Sequence, residues 1–362
     1  MSNKISSNKK EKKIAIDFGN SFVKLMMENL DSPIVIPNIF LKAQSSEVKF
    51  QQRNTLDSLW IKYKEQEYYI GSFCKRVNRI IDERPIGKTK VDDLNSDITM
   101  LTLIAAHVKN GDKIRLSVGL PFSQYKGSQK KELQKRLIGE HTIEFVFLKS
   151  SITFEISQVD INIEGLDAAV ECLSENDKYV LSMENNTKII VIDAGSFNHS
   201  VIILDIKKDN DEIFVDYVTD NDLLISLTSG IAYAQNKLCN YLSDYEQTSV
   251  DRYDIHNCLL ENKGILKSGR TLKKIDISKM FNIYLEELAK VISTDLIDRF
   301  KASNITSEIN GIIMCGGGAA TLKYPDYIKK YLAEPLGVNF YNYKKQPWLI
   351  NVKQYFENMN EV

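Results

Sequence analysis

Cysteine is too sparse and too scattered in this chain to carry its function. The five, Cys74, Cys172, Cys239, Cys258 and Cys315, are odd in number and show no C-x-x-C spacing. That argues against a disulfide framework and against a thiolate zinc site, and the five read as ordinary reduced thiols. Histidine is also scarce: His107, His141, His199 and His256 lie far apart, and each reads as structural rather than as a ligand or base. No apolar run approaches the roughly 20 residues that a membrane span requires. The basic leader is not followed by the apolar segment of a secretory signal, so a cytoplasmic location is expected. Excess charge is absent as well. Lys plus Arg number 47 against 48 for Asp plus Glu, a net charge of −1, which gives no argument for direct nucleic-acid binding, an anionic membrane or an acidic partner. The one local imbalance is "MSNKISSNKKEKK", which makes residues 1–11 a mobile basic tail. A solvated leader is the plain reading of that tail, and a nucleic-acid-touching arm is the alternative.

What is present is apolar material enough for two domains: 362 residues, 43% of them hydrophobic. The stretch "KIAIDFGNSFVK" from Lys13 to Lys24 reads as a strand ending in Asp17, a turn at Gly19-Asn20-Ser21 and a returning strand. A second stretch, "KIIVIDAGSFNHSVIIL" from Lys188 to Leu204, repeats the plan. A shift of 176 residues superposes Ile14 on Ile190, Ile16 on Ile192, Asp17 on Asp193 and Gly19 on Gly195. The shift is nearly half the chain, so the economical reading is two similar α/β halves that open with the same hairpin. Chance matching of period-2 strands is the competing reading.

Between the hairpins, "EYYIGSFC" and "KIRLSVGLPFSQY" read as strands, the second ending at the Gly119-Leu120-Pro121 corner. "SDITMLTLIAAHVKN" has helical spacing after a Ser96 or Asp97 cap and is expected to be an amphipathic helix. "QKKELQKRL" is a charged helix, and "GLDAAVECL" places Leu166, Ala169, Val170 and Leu173 on one helix face. After the second hairpin come a helix around "GIAYAQNKLCNYL" and a long one over about 278–300, with Phe281, Leu285, Leu288, Val291 and Ile292 inward. The strand "NGIIMC" runs into Gly316-Gly317-Gly318, and the segment from Gly337, which holds Trp348, is expected to return to the first half.

A strand that ends in Asp-x-Gly and turns back at once leaves backbone N–H groups in the turn, where they can hold phosphate oxygens. One such turn is weak evidence, but two related turns can grip one polyphosphate from both sides. The aspartates then suit Mg²⁺, which keeps several waters and needs only one or two carboxylates. Lys24 would add positive charge, whereas the second copy has Ser200 at that place. Either Asp alone also reads as an ordinary strand-terminal turn residue. The triglycine is a third turn that lets backbone approach a flat base or a phosphate. "GILKSGRT", from Gly264 to Thr271, is set aside as a P-loop, because Arg270 stands where Lys is required and no buried strand precedes it.

The order of "IAIDFGNSFVK", "IIVIDAGSFN" and "IIMCGGGAATL" resembles the phosphate-1, phosphate-2 and adenosine motifs of the actin, heat-shock chaperone and sugar-kinase superfamily. "IRLSVGLPFSQYKGSQKKELQKRL", with "YYIGSFC" and "GIAYAQNKL", is similar to the ParM and Alp group, the bacterial actin-like filament proteins of plasmid segregation. The resemblance runs from about Lys12 to Leu336. It implies an actin-like fold of two RNase H-like α/β halves around a nucleotide cleft, each with a small inserted subdomain. Domain I would take residues 12–163 and 338–362, and domain II residues 164–337.

The resemblance also implies site residues. Asp17 and Asp193 would hold the hydration shell of Mg²⁺. Gly19, Asn20, Ser21 and Lys24 on one side, and Gly195 and Ser196 on the other, would bind the phosphates of ATP or GTP, with Gly316, Gly317 and Gly318 along the adenosine. Gln158, in "ISQVDINIEG", would sit at the first interdomain connection and orient the attacking water. Its other reading is a solvated strand-end glutamine. Phe197 and Asn198 depart from the family pattern of further Gly or Thr after Ser196, which puts the rate of hydrolysis and the nucleotide preference in question. The implied activity is nucleotide hydrolysis coupled to filament assembly from copies of this chain, with plasmid DNA engaged through a DNA-bound adaptor of ParR type. The rival is a small-molecule kinase of the same superfamily that does not polymerise, although no distinctive substrate-binding carboxylate is visible. A nonenzymatic nucleotide-binding scaffold is the third class.

Overall fold

The computed structural model describes residues 11–43, 58–74, 91, 94–174, 187–209, 212–220, 223, 225–261, 264–267, 274–321, 323–343 and 345–360. Residues 1–10 of the basic tail and residues 268–271 of the rejected P-loop lie outside the described residues. The chain divides into two compact units, Met1–Glu164 with Asn351–Val362, and Gly165–Ile350.

In the first unit, Lys12–Phe18 (β1) and Phe22–Met27 (β2) form a hairpin, followed by Ile34–Pro37 (β3) and Phe40–Lys42 (β4). Ser58–Tyr63 (β5), Gln66–Gly71 (β6), Asp112–Leu120 (β7), Gly139–Phe145 (β8) and Ser150–Ile163 (β9) complete the sheet. Its order is β3-β2-β1-β7-β9-β8-β5-β6-β4. β1, β7 and β9 run parallel, while β2 pairs antiparallel with β1 and β3 antiparallel with β2. Strands at the centre of a parallel sheet are covered on both faces and read as continuous apolar runs, as β1 and β7 do. Ile14, Ile16 and Phe18 enter the core that also receives the helix Leu94–Ala105. Ala15 faces the other way, against Val352, Tyr355 and Met359 around the C-terminal helix Ile350–Asn358. A Cβ at Gly119 would lie 1.9 Å from the Tyr355 hydroxyl, so the bare glycine is what lets that helix lie on the sheet.

In the second unit, Thr187–Ala194 (β10) and His199–Asp209 (β11) repeat the hairpin, followed by Glu212–Tyr217 (β12) and Ile225–Leu227 (β13). Ile265–Lys267 (β14) and Lys274–Asp276 (β15) pair with each other as a separate ribbon, which with the helix Arg252–Glu261 forms the small addition to this unit. Ile309–Cys315 (β16) and Asn339–Asn342 (β17) finish the main sheet, ordered β12-β11-β10-β16-β17 with β13 on β11. β10, β16 and β17 are parallel, and β11 and β12 antiparallel. The five core strands therefore have the same order and directions in both units, β3-β2-β1-β7-β9 matching β12-β11-β10-β16-β17. The helices Ile231–Glu246 and Ser278–Ala302 pack together over the apolar side of this second sheet.

Four expectations about elements change. Asn339–Asn342 does not join the first unit, because it pairs in parallel with β16; only the chain from Asn351 onward belongs there. The helix Leu94–Ala105 is not amphipathic: every residue from Asp97 to Ala105 is buried, including Thr99 and Thr102, since it is enclosed rather than laid on a surface. Val291 is exposed; the inward stripe continues instead through Ala289, Ile292 and Leu296, which keep the 3.6-residue period. Val170 is exposed for the same reason, with Ala168, Ala169, Cys172 and Leu173 inward.

Candidate functional site

In both units the chemistry-bearing residues fall at the carboxyl ends of the parallel strands, where open α/β sheets place their ligands. The first turn is built by β1 and β2. Asp17 is directly opposite Lys24 in the hairpin register, and Lys24 Nζ donates to Asp17 Oδ2 at 2.5 Å. Both side chains are largely buried, at 7% and 14% exposure, so the pair neutralises two charges that solvent does not reach freely. A Cβ at Gly19 would meet the Phe22 carbonyl at 2.9 Å, and the turn closes only with glycine there.

Asn38, just past β3, fixes the carbonyls of this turn. Its Nδ2 donates to the Gly19 carbonyl and its backbone N–H to the Ser21 carbonyl, both at 2.8 Å. A trans peptide points its C=O and the following N–H in opposite directions. The amides of Asn20 and Phe22, which follow those two carbonyls, are therefore directed away from Asn38. The sequence carried no signal for Asn38, because a side chain that meets backbone 19 residues away leaves no periodic trace.

The second turn has the same backbone and different supports. Asp193 is opposite Ser200 in the register, so Lys24 has no counterpart. Gly195 N–H donates to the Asn198 carbonyl at 2.9 Å, and a Cβ on Gly195 would meet that oxygen at 2.7 Å. The turn carbonyls are held by a helix start: Ile231 N–H donates to the Gly195 carbonyl and Ala232 N–H to the Ser196 carbonyl, at 3.2 and 2.8 Å. Phe197 does not fill this turn loosely, for the Arg252 guanidinium lies over its ring at 4.4 Å. His199 is completely buried, and burial pushes it down to about 4.

Of the triglycine, Gly316 adopts φ +79°, and a Cβ there would lie 2.1 Å from Asp193 Oδ1. Cys315 is opposite Asp193 across β10 and β16, so the Asp193 carboxylate and the triglycine form one cluster. Gly318 packs on Ala194, whereas a Cβ at Gly317 would meet nothing within 4 Å. Gly317 thus presents open backbone while its two neighbours are needed for packing.

Gln158 is not brought to the first turn. Ile16 is opposite Val118, which is opposite Ile161, while Gln158 is level with Arg115 and Lys13. Four residues separate its level from that of Asp17, about 13 Å at the usual rise of a strand. Its Nε2 donates to Asp160 Oδ1 at 2.8 Å, in an exposed group that Arg115 joins through Asp160 Oδ2. It is the solvated residue of the alternative reading. The acidic residue that does stand at the end of β9 is Glu164, buried, with its N–H donating to the Leu120 carbonyl at 3.0 Å. The signal available for it was the Glu-Gly pair directly before the helix Leu166–Ser174, at the point where the chain leaves the first unit.

Comparison with known proteins bears on the family and the fold. The model of the actin-like proteins N-terminal domain matches residues 15–166, and that of the Alp7A C-terminal domain matches residues 188–346. The chain belongs to the ParM and Alp group of actin-like proteins. Among curated proteins none matches by sequence. The fold of this actin-like chain is similar to a 15-stranded ParM filament structure from Clostridium botulinum, with TM-score 0.69 and 21% identity over 97% of this chain and 99% of that one. Alp7A gives TM-score 0.69 at 15% identity, covering 96% and 98%. Ta0583, an archaeal actin homologue solved in complex with ADP, gives 0.68 at 15% identity, covering 97% and 100%. Among the described residues no helix is long and apolar enough to cross a membrane.

Proposed function

We propose that the chain is an actin-like nucleoside triphosphatase that assembles into filaments and, through a DNA-bound adaptor, separates plasmid DNA. The observation that supports this reading best is the duplicated turn: each unit ends the first strand of its core hairpin in an aspartate, and each turns its peptide carbonyls onto fixed donors. A triphosphate is the ligand with enough anionic oxygens to need both turns. ATP and GTP both satisfy that requirement, and the open backbone at Gly317 suits the flat face of either nucleoside.

In this reading the amides of the Gly19-Asn20-Ser21 turn and of Ser196 bind phosphate oxygens, Gly195 keeps the second turn closed through its bond to the Asn198 carbonyl and lets the phosphate approach, and Lys24 balances the charge. The donor set fits magnesium. Among the described residues no group of three metal-ligating side chains exists, and each turn offers a single hard carboxylate, the pattern of an ion that arrives with its nucleotide and keeps its waters. Asp17 and Asp193 would hold those waters, and the ion would supply charge neutralisation at the phosphates. Glu164 takes the role first given to Gln158: a buried carboxylate at a strand end that accepts a hydrogen bond from the attacking water and fixes its direction. Hydrolysis then alters the ligand that both turns serve and shifts the chain toward a form with weaker filament contacts.

Light scattering of the full chain at increasing concentration, with and without Mg²⁺ and ATP or GTP, tests the proposal, with negatively stained grids of the same samples. A nucleotide-dependent rise with visible filaments is expected. Turnover without any polymer, stimulated by a small alcohol substrate, would establish the kinase instead. Asp193→Ala is expected to abolish phosphate release; binding and assembly with no release in the parent chain would leave a scaffold. Glu164→Gln should slow release about 10²-fold or more while Gln158→Ala leaves it unchanged.

A further inference from the structure

We infer that His199 is a positioning residue, which ties the phosphate turn of the second unit to its triglycine and so pre-sets the two for one nucleotide. This rests on the reading of Gly195-Ser196 and Gly316-Gly318 given above. His199 opens β11, directly after the turn and opposite Ala194. Nδ1 is 2.6 Å from the Ser229 carbonyl, which can only accept, so Nδ1 carries the proton. Nε2 is then the acceptor, and the Tyr324 hydroxyl donates to it at 2.8 Å. His199 and Tyr324 are both fully buried, so no water competes for these bonds.

Each partner leads to a different part of the nucleotide-binding surface. Ser229 precedes Gly230 and the helix start whose Ile231 and Ala232 amides hold the turn carbonyls. Tyr324 leads to the triglycine: its N–H donates to the Thr321 carbonyl, Thr321 N–H to the Gly318 carbonyl, and the Thr321 hydroxyl to the Gly317 carbonyl. One imidazole therefore joins the two segments through bonds that are all between 2.6 and 3.2 Å. A neutral histidine suits this place because it donates and accepts at fixed positions on a rigid ring. Pre-organisation of this kind raises affinity only for a ligand that uses both segments at once.

The first unit carries an ordinary counterpart. His141, on β8, donates its Nε2–H to the Leu137 carbonyl at 2.8 Å, and its Nδ1 accepts from the hydroxyl of Tyr63, on β5, at 3.3 Å, away from the Asp17 turn. Tyr63→Phe is thus the same chemical deletion without the proposed role.

The test measures binding of Mg-ATP and of inorganic tripolyphosphate to the full chain by calorimetry, alongside thermal melts. Tyr324→Phe is expected to weaken ATP about tenfold, the loss of roughly one buried hydrogen bond, and to change tripolyphosphate less than about twofold, because that ligand touches only the phosphate turn. Tyr63→Phe should leave both affinities unchanged. His199→Gln, which keeps a donor and an acceptor, should bind ATP more tightly than His199→Ala. Unchanged ATP affinity in Tyr324→Phe, equal weakening of the two ligands, or equal ATP affinity in the two His199 variants would overturn the inference. A parent chain that binds no nucleotide refutes the proposed function itself, before any variant is made.

Discussion

In the first hairpin Asp17 faces Lys24 across the strand pair, whereas in the second the same register sets Asp193 opposite Ser200. The first turn is held by one residue, Asn38, arriving from beyond the third strand and donating from both its side chain and its backbone N–H. The second is held by the backbone of a helix start. The shared part is what the ligand would touch: a carboxylate at the strand end and a turn whose carbonyls are occupied. The differing part is support, and support can be exchanged. A buried charge pair and a glycine-capped helix both fix an aspartate turn, and they fail under different perturbations.

The comparison breaks most sharply at Lys24. Lys24→Met leaves the Asp17 carboxylate buried without its cation and is expected to cost about 3–5 kcal/mol in denaturant unfolding. Ser200→Ala at the matching place should cost less than about 1 kcal/mol. Equal losses would mean that the ion pair contributes nothing that a hydroxyl does not.

Acid should act on the other hairpin. His199 has its folded pKa depressed to about 4, below the unfolded value of about 6.5, so the unfolded chain binds the extra proton first. Its contribution is fully present above about pH 6.5 and is lost as the pH falls toward 4, by up to about 3 kcal/mol. Burial lowers His141 in the first unit as well, so both units are expected to weaken over this window, the second more. Thermal melts at pH 7.5 and pH 5 measure the loss, and His199→Gln should flatten the larger part of it.

Asn38→Ala removes one side-chain bond from the first turn and should cost about 1 kcal/mol. Nucleotide affinity should fall with it, as read by calorimetry, since the Asn20 amide loses its orientation. No single side-chain deletion does the same to the second turn, whose donors are main-chain amides. Smallest of all in stability is Gly317→Ala, within about 0.5 kcal/mol, because its Cβ meets nothing. The same variant should weaken nucleotide binding, whereas Gly316→Ala, which collides with Asp193, should lower the melting temperature as well.

The repeat was legible because a strand hairpin writes its register into the sequence: the 176-residue shift that aligned Asp17 with Asp193 also aligned Lys24 with Ser200, and Asp17 with Lys24, like Asp193 with Ser200, is a cross-strand pair. The triglycine was legible by its order after the two turns. Gln158 was misplaced because β9 does not end near it: the alternation slips by one residue at Ser157-Gln158, where the register with β7 shifts, and then resumes through Val159, Ile161 and Ile163. The stripes of the helices Leu166–Ser174 and Ser278–Ala302 were right in period and wrong at Val170 and Val291, where apolar character alone was taken for burial. Asn38, Ser229 and Tyr324 could not be read at all. Their roles come from single hydrogen bonds across large sequence distances, which composition and periodicity do not record.

The proposed function assigns both aspartates to one magnesium nucleotide. Calorimetric titration of Mg-ATP into the parent chain, Asp17→Asn, Asp193→Asn and the double variant tests this most directly. The account predicts one nucleotide per chain, a loss of affinity in each single variant, and a double variant that loses clearly less than the sum. Two nucleotides per chain, or a single variant that binds Mg-ATP as the parent does, would contradict it.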